Sequence, residues 1–494
     1  MGSGKSKMQK NSTTNERGVR DYKMTPEEKE KTKMEIIHSL LDCNEIDFSD
    51  WRYETLTQAD VESTLSRCGM NLHKLILDEN CDSTIMATVK KYCQNLEQFE
   101  FSLSKINEDD FIDVFTDMTK LKSLTVRSNS LFGEKRENPV DITKILNSVP
   151  DDISEIFLLT HKSTVCSGAC LHLFPSSLER FNNLCHLSLK EYKINNNDIM
   201  QISRIKSLIE VNFYFCKFED DTFVLKLGNL EILNFESMTG IDNCLANISN
   251  ESKYLRQLSI KNCKVSASVL KELSNIVHLE QLNVQNVQSV DDIFINSIVD
   301  KCRVLKYLDV SHCCNISCGA LVEISNIKNL EYLDISKTEN INDSVIIKIA
   351  NCCEKLKHLL IESCSNVSHS ALNELGKLNN LETLCLVDIN NAGDEIFNNM
   401  SQLRVLKCNW CFNVTDIGIM KIIKNSPNLK TLMLCRTGIT RQTLACAAKS
   451  TKKRINNIQL EVITDQKICE AYERLDHYLG PLISFKGLDL YSRN

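Results

Sequence analysis

The stretch Leu305-x-x-Leu308-x-Val310-x-x-Cys313 decides how this chain is read, because its pattern recurs. Leu255, Leu258, Ile260 and Cys263 fill the same slots, as do Leu356, Leu359, Ile361 and Cys364, and again Leu403, Leu406, Cys408 and Cys411. The first apolar position of each copy runs Leu72, Leu96, Leu121, Ile153, Leu184, Leu208, Leu230, Leu255, Leu279, Leu305, Leu330, Leu356, Leu381, Leu403, Leu429 and Ile455, which makes 16 copies. From Leu230 to Leu381 the steps are 25, 24, 26, 25, 26 and 25 residues. A weaker copy upstream puts Cys43 in the first slot and Ile46, Phe48 and Trp51 in core slots, and is expected to cap the amino end.

A leucine-rich pattern repeating every 20–29 residues or so is the signature of a strand-plus-helix coil. In the Leu-x-Leu segment alternate residues face opposite sides, so the leucines point inward and the residues between them outward. The helical part follows, as in Thr415–Ile423, where Thr415 is a helix cap and Ile419, Ile422 and Ile423 share one face. No coil buries its apolar side alone, and stacking the coils builds one continuous core. The expectation is therefore an α/β fold: a right-handed, curved leucine-rich-repeat solenoid with a concave parallel sheet of about 16 to 17 strands. The expected organisation is a disordered basic segment over 1–24, a helix over 25–42, the solenoid over 43–464, and a capping helix and tail over 465–494. The helix start is read from Thr25-Pro26-Glu27-Glu28, and the cap from Ile468, Ala471, Tyr472 and Leu475, running to about Leu479 before Gly480-Pro481.

The 23 cysteines follow the repeat. Cys216, Cys263, Cys313, Cys364 and Cys411 occupy the ninth column, and Cys93, Cys302 and Cys353 lie three residues before a first leucine. A role fixed by column is a packing role for a small apolar thiol with a weak donor. Zinc is the weaker reading, both for Cys408-x-x-Cys411 and for Cys166-x-x-x-Cys170 with His161 and His172 nearby. No metal or other cofactor is expected. Many unpaired thiols and the lack of a secretory signal suit a cytoplasmic protein, or a nuclear one.

The net charge of -7 is mild and gives no reason to expect nucleic acid. No apolar run is long enough to span a bilayer. Met1-Gly2-Ser3-Gly4-Lys5-Ser6 matches the myristoylation pattern, with Gly2 as acceptor; membrane attachment is expected only through that lipid. The ten histidines form no nucleophile or metal constellation, and a regular solenoid offers few deep pockets, so no enzyme is expected. Two long steps put insertions at 129–141 and 161–175, with Phe132, Arg136 and His161 as candidates there.

The outward slots carry the binding expectation. Tyr307 and Tyr332 occupy equivalent positions in adjacent copies, about 5 Å apart by strand separation. Later copies turn apolar: Leu360, then Cys385 and Val387, then Val405 with Trp410, then Met433. A contiguous exposed apolar patch marks a binding surface, and Trp and Tyr are favoured anchors.

The segments Cys302-x-x-Leu305-x-x-Leu308-Asp309-Val310-Ser311-x-Cys313-x-Asn315-Ile316-Ser317 and Leu403-x-x-Leu406-x-Cys408-x-x-Cys411-x-Asn413-Val414-Thr415-Asp416-x-Gly418 resemble the cysteine-containing repeats of F-box/leucine-rich-repeat proteins. The resemblance covers roughly residues 43–464, and Ile46–Leu77, with Trp51 and Arg67-Cys68-Gly69, looks like the segment that follows an F-box. It implies a substrate-recognition subunit of a cullin-based, SCF-type ubiquitin ligase, whose repeats hold a protein substrate and which engages a ligase adaptor. This chain departs from that family at its start: one helix, about Pro26–Leu41, precedes the repeats, and the Leu-Pro opening of an F-box is absent. The alternative expectation is a scaffold with no ligase link, tethered to membrane through Gly2.

Overall fold

The computed structural model describes residue 40 and residues 43–49, 56–128, 142–160, 172–173, 175, 178–219, 226–246, 248–474 and 480–488. Two compact units divide the chain, Met1–Ser167 and Gly168–Asn494. The expected calls on Gly2, the helix Pro26–Leu41 apart from Leu40, Trp51, the 129–141 insertion, His161 and the Cys166/Cys170 pair lie outside the described residues.

In the first unit, strands β1 (Glu45–Asp47), β2 (Lys74–Leu77), β3 (Gln98–Leu103), β4 (Ser123–Ser128) and β5 (Glu155–Thr160) form a parallel ladder in sequence order. Leu75, Phe99, Leu124 and Ile156 align across the strands, each 0–1% exposed. The core beneath them is aromatic: the rings of Phe99, Phe101, Phe111 and Phe115 lie 5.3–6.4 Å apart.

The second unit repeats the plan. Strands β6 (His172–Leu173), β8 (Tyr192–Ile194) and β10 (Lys217–Phe218) make a small parallel sheet, which the repeat pattern did not announce. The main ladder comprises β7 (His186–Lys190), β9 (Glu210–Tyr214), β11 (Ile232–Glu236), β12 (Gln257–Lys261), β13 (Gln281–Asn283) and β14 (Tyr307–Asp309), and then β15 (Tyr332–Asp334), β16 (His358–Leu360), β17 (Thr383–Cys385), β18 (Val405–Lys407), β19 (Thr431–Met433), β20 (Leu460–Asp465) and β21 (Ile483–Leu488). Every adjacent pair is parallel, and Leu258, Leu282, Leu308, Leu333, Leu359, Leu384, Leu406 and Leu432 stand in one row. Each of these leucines is 2% exposed or less, worth roughly 1.5–3 kcal/mol of burial apiece.

Three devices couple one coil to the next. The first-turn aspartate of one helix accepts hydrogen bonds from the cap residue of the following helix: Asp292 from Ser317, Asp343 from Ser368, Asp394 from Thr415 and Asp416 from Thr440. Ninth-column thiols donate to a carbonyl of the preceding coil, Cys313 to Val284 at 3.2 Å and Cys411 to Leu386 at 2.9 Å. Burial pushes the Cys313 and Cys364 thiols up to about 12, so these sulfurs stay protonated and act as fillers. In the third device, the residue after each first leucine alternates in sign: Glu231, Arg256, Glu280, Lys306, Glu331, Lys357, Glu382 and Arg404. Ion pairs link Glu280 to both Arg256 (2.8 Å) and Lys306 (2.7 Å), Lys357 to Glu331 (2.7 Å), and Arg404 to Glu382 (3.0 Å).

The turn after each strand of this ladder up to β19 holds a left-handed residue. Glu191, Phe215, Ser237, Asn262, Asn286, His312, Lys337, Ser363, Asp388, Trp410 and Arg436 all have φ between 55° and 66°. None is glycine, and each such backbone costs about 1 kcal/mol. Their amides extend the ladder past the strands, for example His312 N–H to the Ser336 carbonyl at 2.9 Å and Lys337 N–H to the Glu362 carbonyl at 2.8 Å, which offsets that strain.

The carboxyl end differs from expectation in two ways. Ile455 does not open the last copy: it is 98% exposed, and the last repeat strand instead aligns Val462 with Leu432. The step is lengthened by residues 452–459, where Arg454 Nη1 donates to the carbonyls of Leu429 and Ile458. A helix, Gln466–Glu473, buries Cys469 and Tyr472, and the residues after Gly480-Pro481 form β21 in parallel with β20.

Candidate protein-recognition surface

The outward residues of the second ladder form two rows. One row reads Gln257, Gln281, Tyr307, Tyr332, His358, Thr383, Val405 and Thr431; the other reads Ser259, Asn283, Asp309, Asp334, Leu360, Cys385, Lys407 and Met433. Parallel, in-register pairing makes each residue the neighbour of its equivalent in the next coil. The Tyr307 and Tyr332 rings stack with centroids 4.1 Å apart and planes 12° apart, and His358 follows 5.9 Å from Tyr332. His358 Nδ1 lies 2.9 Å from Thr383 Oγ1, and burial holds its imidazole below the usual value.

Beside this aromatic row lie two carboxylates that are almost covered, Asp309 at 5% and Asp334 at 8% exposure. Each accepts the amide of the residue two ahead, Asp309 from Ser311 at 3.0 Å and Asp334 from Ser336 at 2.9 Å, and Asn283 does the same for Gln285. These are Asx turns that start the post-strand bend. Burial raises both carboxyls, Asp334 to about 6, because the hydrogen bonds from serine do not fully replace water. Burial also pushes the Tyr307 phenol up to about 12. The polar row continues toward the start of the unit, Asn234 donating to Asn212 at 2.6 Å and Asn212 to Ser188 at 2.8 Å.

In the other direction the face becomes apolar. Leu360, Val387, Val405 and Met433 are half-buried, while Cys385 is 3% exposed and contributes little surface. Lys407 sits in register between Cys385 and Met433 and interrupts the row. Trp410 is not in a strand slot: it occupies the left-handed turn at φ 66° and is 40% exposed. The Phe412 ring stands edge-on 6.4 Å away and the Arg436 guanidinium 5.1 Å from the indole centroid. Its left-handed backbone belongs to the column shared by eleven coils, its amide donating to the Cys435 carbonyl at 2.9 Å; what marks Trp410 is a large indole left open to solvent between an aromatic ring and a guanidinium.

The slots that hold Tyr307, Tyr332, Leu360, Val405 and Met433 are thus brought together on one face, with Val387 just beyond β17 and Trp410 at its rim. Asp309, Asp334, His358, Phe412 and Arg436 belong to the same surface and were not anticipated. The first three follow from alternation, but an outward Asp reads as solvated in one copy, and its burial comes from neighbouring coils. Among the described residues no group of three or more His, Cys, Asp or Glu is arranged to hold a metal ion. Cys408 and Cys411 are both fully buried, and burial drives the Cys408 thiol well up. Among the described residues no helix is long and apolar enough to cross a membrane.

No family profile matches the chain. The disease resistance protein RPM1 of Arabidopsis thaliana is 23% identical over 219 residues, which cover 42% of this chain and 23% of RPM1. This chain therefore spans about a quarter of the length of that curated relative. Among solved structures, an internalin, InlF, of Listeria monocytogenes aligns at TM-score 0.42 and 18% identity, over 69% of this chain and 87% of its own. A leucine-rich-repeat protein of Leptospira interrogans aligns at 0.39 and 15%, over 87% and 97%. By its period, its inward leucine row and its in-register parallel ladder, each unit has the leucine-rich-repeat solenoid fold.

Proposed function

We propose that this chain is a non-catalytic protein-recognition module that grips a partner polypeptide on the strand face of its second unit, from Tyr307 to Met433. The observation that carries this reading is the rim of that face: Trp410 is held in a strained backbone, exposed, and flanked by Phe412 and Arg436. Trp, Tyr and Arg are the residue types that dominate interface energetics, and here they border an apolar row. The stacked Tyr307 and Tyr332 add a rigid aromatic wall whose ordering is already complete before a partner arrives.

The cysteine-bearing repeats support a narrower form of this reading, in which the chain presents substrates to a cullin-based ubiquitin ligase in the cytoplasm or nucleus. The second form is a scaffold without a ligase link, tethered through myristoylated Gly2, and the amino-terminal sequence Met1–Ser6 favours it. The test is affinity purification of the full chain followed by mass spectrometry, in parallel with a Trp410→Ala/Met433→Ala variant. Recovery of a cullin and its adaptor supports the ligase form, and their absence with a lipidated Gly2 supports the scaffold. Capture that the double variant leaves unchanged sinks the strand-face site itself.

A further inference from the structure

From Ile417 to Leu460 the chain carries nine Lys or Arg and no Asp or Glu, although its formal net charge is -7. The sign alternation that couples the earlier coils stops here: after Arg404 the next position in the column is Lys430 rather than an acid. The mild total charge conceals a strongly basic region of this solenoid. Among the described residues Lys424, Lys449 and Lys453 take part in no ion pair, whereas lysines of the preceding coils do.

On the helix side these residues border a groove of 560 Å³, formed by the helices Asp416–Asn425 and Arg441–Thr451 and the lengthened loop that follows. Lys424, Lys449, Lys453 and Arg454 line it together with the apolar Ile423 and Ile455. Ile455, displaced from the repeat core by the long last step, stands 98% exposed beside the cations. Arg454 is fixed by its bonds to the Leu429 and Ile458 carbonyls, and its Nη2 has no hydrogen-bond acceptor among the described residues. That nitrogen is buried, so Arg454 anchors the lengthened loop and adds fixed positive charge to the groove wall.

We propose that this groove docks an acidic peptide segment of a partner protein, whose carboxylates face Lys424, Lys449 and Lys453 and whose apolar side chain packs on the exposed Ile455. Charge complementarity sets the sign of the occupant. The groove's shape and apolar content select a peptide. Single-stranded nucleic acid uses aromatic stacking platforms, and no aromatic residue lines this groove. A bilayer presents a broad surface and does not enter a cleft between two helices. The site lies on the helix side, away from the strand face proposed above, so the module would hold two polypeptides at once.

The experiment measures fluorescence anisotropy of a short labelled peptide, glutamates around a central leucine pair, against the full chain. Saturable binding is expected at low salt and weakens as salt rises. Lys449→Glu/Lys453→Glu should weaken it by about ten-fold or more, since two attractions become repulsions. Ile455→Ser should weaken it about three-fold through lost apolar contact alone, with melting curves verifying that all variants fold. Trp410→Ala/Met433→Ala should leave it unchanged. The proposal is overturned if the glutamate peptide does not bind, or if charge reversal has no effect. Equal binding of the glutamine-substituted peptide, or loss of binding in the strand-face variant, overturns it as well. So does tighter binding of a single-stranded oligonucleotide, or of phosphatidylserine vesicles, under the same conditions.

Discussion

The coils from Arg256 to Arg404 and those from Ile417 to Leu460 share one core and differ in what they do with charge. In the first region an acid stands next to each base along the sheet edge, and four ion pairs of 2.7–3.0 Å close the row. In the second the acids are gone, and the buried leucines continue without a change, Leu406 and Leu432 both at 0% exposure. A repeat thus fixes its inward residues tightly, because each must fill a slot against both neighbours. Its surface columns are set by whatever sits beside them. Charge neutralised between coils serves stacking, and charge left over is available to a partner.

The sharpest test of the shared half of that comparison is the core. Leu333→Ala, in the neutralised region, and Leu432→Ala, in the basic one, should each lower stability by about 2–5 kcal/mol in denaturant unfolding. A large inequality between them would mean that the two regions differ beneath the surface as well.

Two aspartates, Asp334 buried and Asp416 half-buried, break the symmetry next. Asp334 has a raised folded-state value of about 6, so its folded form binds a proton more tightly than the unfolded chain. Stability from this group is present at low pH and is lost as pH rises from about 4 through 6. Asp334→Asn, which keeps an acceptor for the Ser336 amide, should therefore stabilise the protein at pH 7 by about 1–2 kcal/mol and have little effect at pH 4. Asp416 has the opposite sign. Burial works against its charge, but the hydroxyls and amides of Thr443 and Thr440 outweigh that and lower its value. Its contribution is present above the unfolded value near 4 and is lost as pH falls through the folded one. Asp416→Asn should cost about 1 kcal/mol at pH 7, with the loss fading in acid. Chemical denaturation at several pH values separates the two, and slopes of the same sign would refute the assignment.

How much of this was open to reading depends on which neighbours a residue answers to. The inward row from Leu72 to Leu429 was legible because its leucines recur in sequence, and the helix after Thr415 was legible because cap and apolar face lie within one segment. Outward residues were harder. Tyr307 and Tyr332 stood out as aromatics in matching slots, whereas Asp309 and Asp334 looked like ordinary surface acids until adjacent coils covered them. The left-handed column carried no glycine and only two asparagines, Asn262 and Asn286, to announce it, since amide hydrogen bonds donated to the next coil hold that backbone at Glu191, Phe215 and Lys337 alike. Ile455 misled by matching the spacing of a core leucine, when Val462 takes the place beside Leu432. The basic stretch was hidden by averaging, and a sliding count of acids over one repeat length would have exposed it.

Restoring the alternation should have a modest effect. Lys430→Glu places an acid beside Arg404 and continues the ladder by one coil. The pair would be exposed, so the gain should be about 0.3–0.5 kcal/mol, visible only at low salt. The reverse change, Glu331→Gln within the ladder, removes a partner of Lys357 and should cost a similar amount. If Lys430→Glu destabilises, the basic region is serving the fold and not a partner.

The smallest expected shift in stability comes from Trp410, and it bears most directly on why the two regions diverge. Glycine at φ 66° relieves about 1 kcal/mol of left-handed strain but increases the freedom of the unfolded chain and gives up the contacts with Phe412 and Arg436. Trp410→Gly should therefore fall between neutral and about 0.5 kcal/mol more stable, while a glycine at Lys357, whose backbone is not left-handed, should cost about 1 kcal/mol. Partner capture should fall sharply in Trp410→Gly alone. A variant that folds as well or better yet binds worse would mean that the indole is retained against the preference of the backbone, for what it contacts outside the chain.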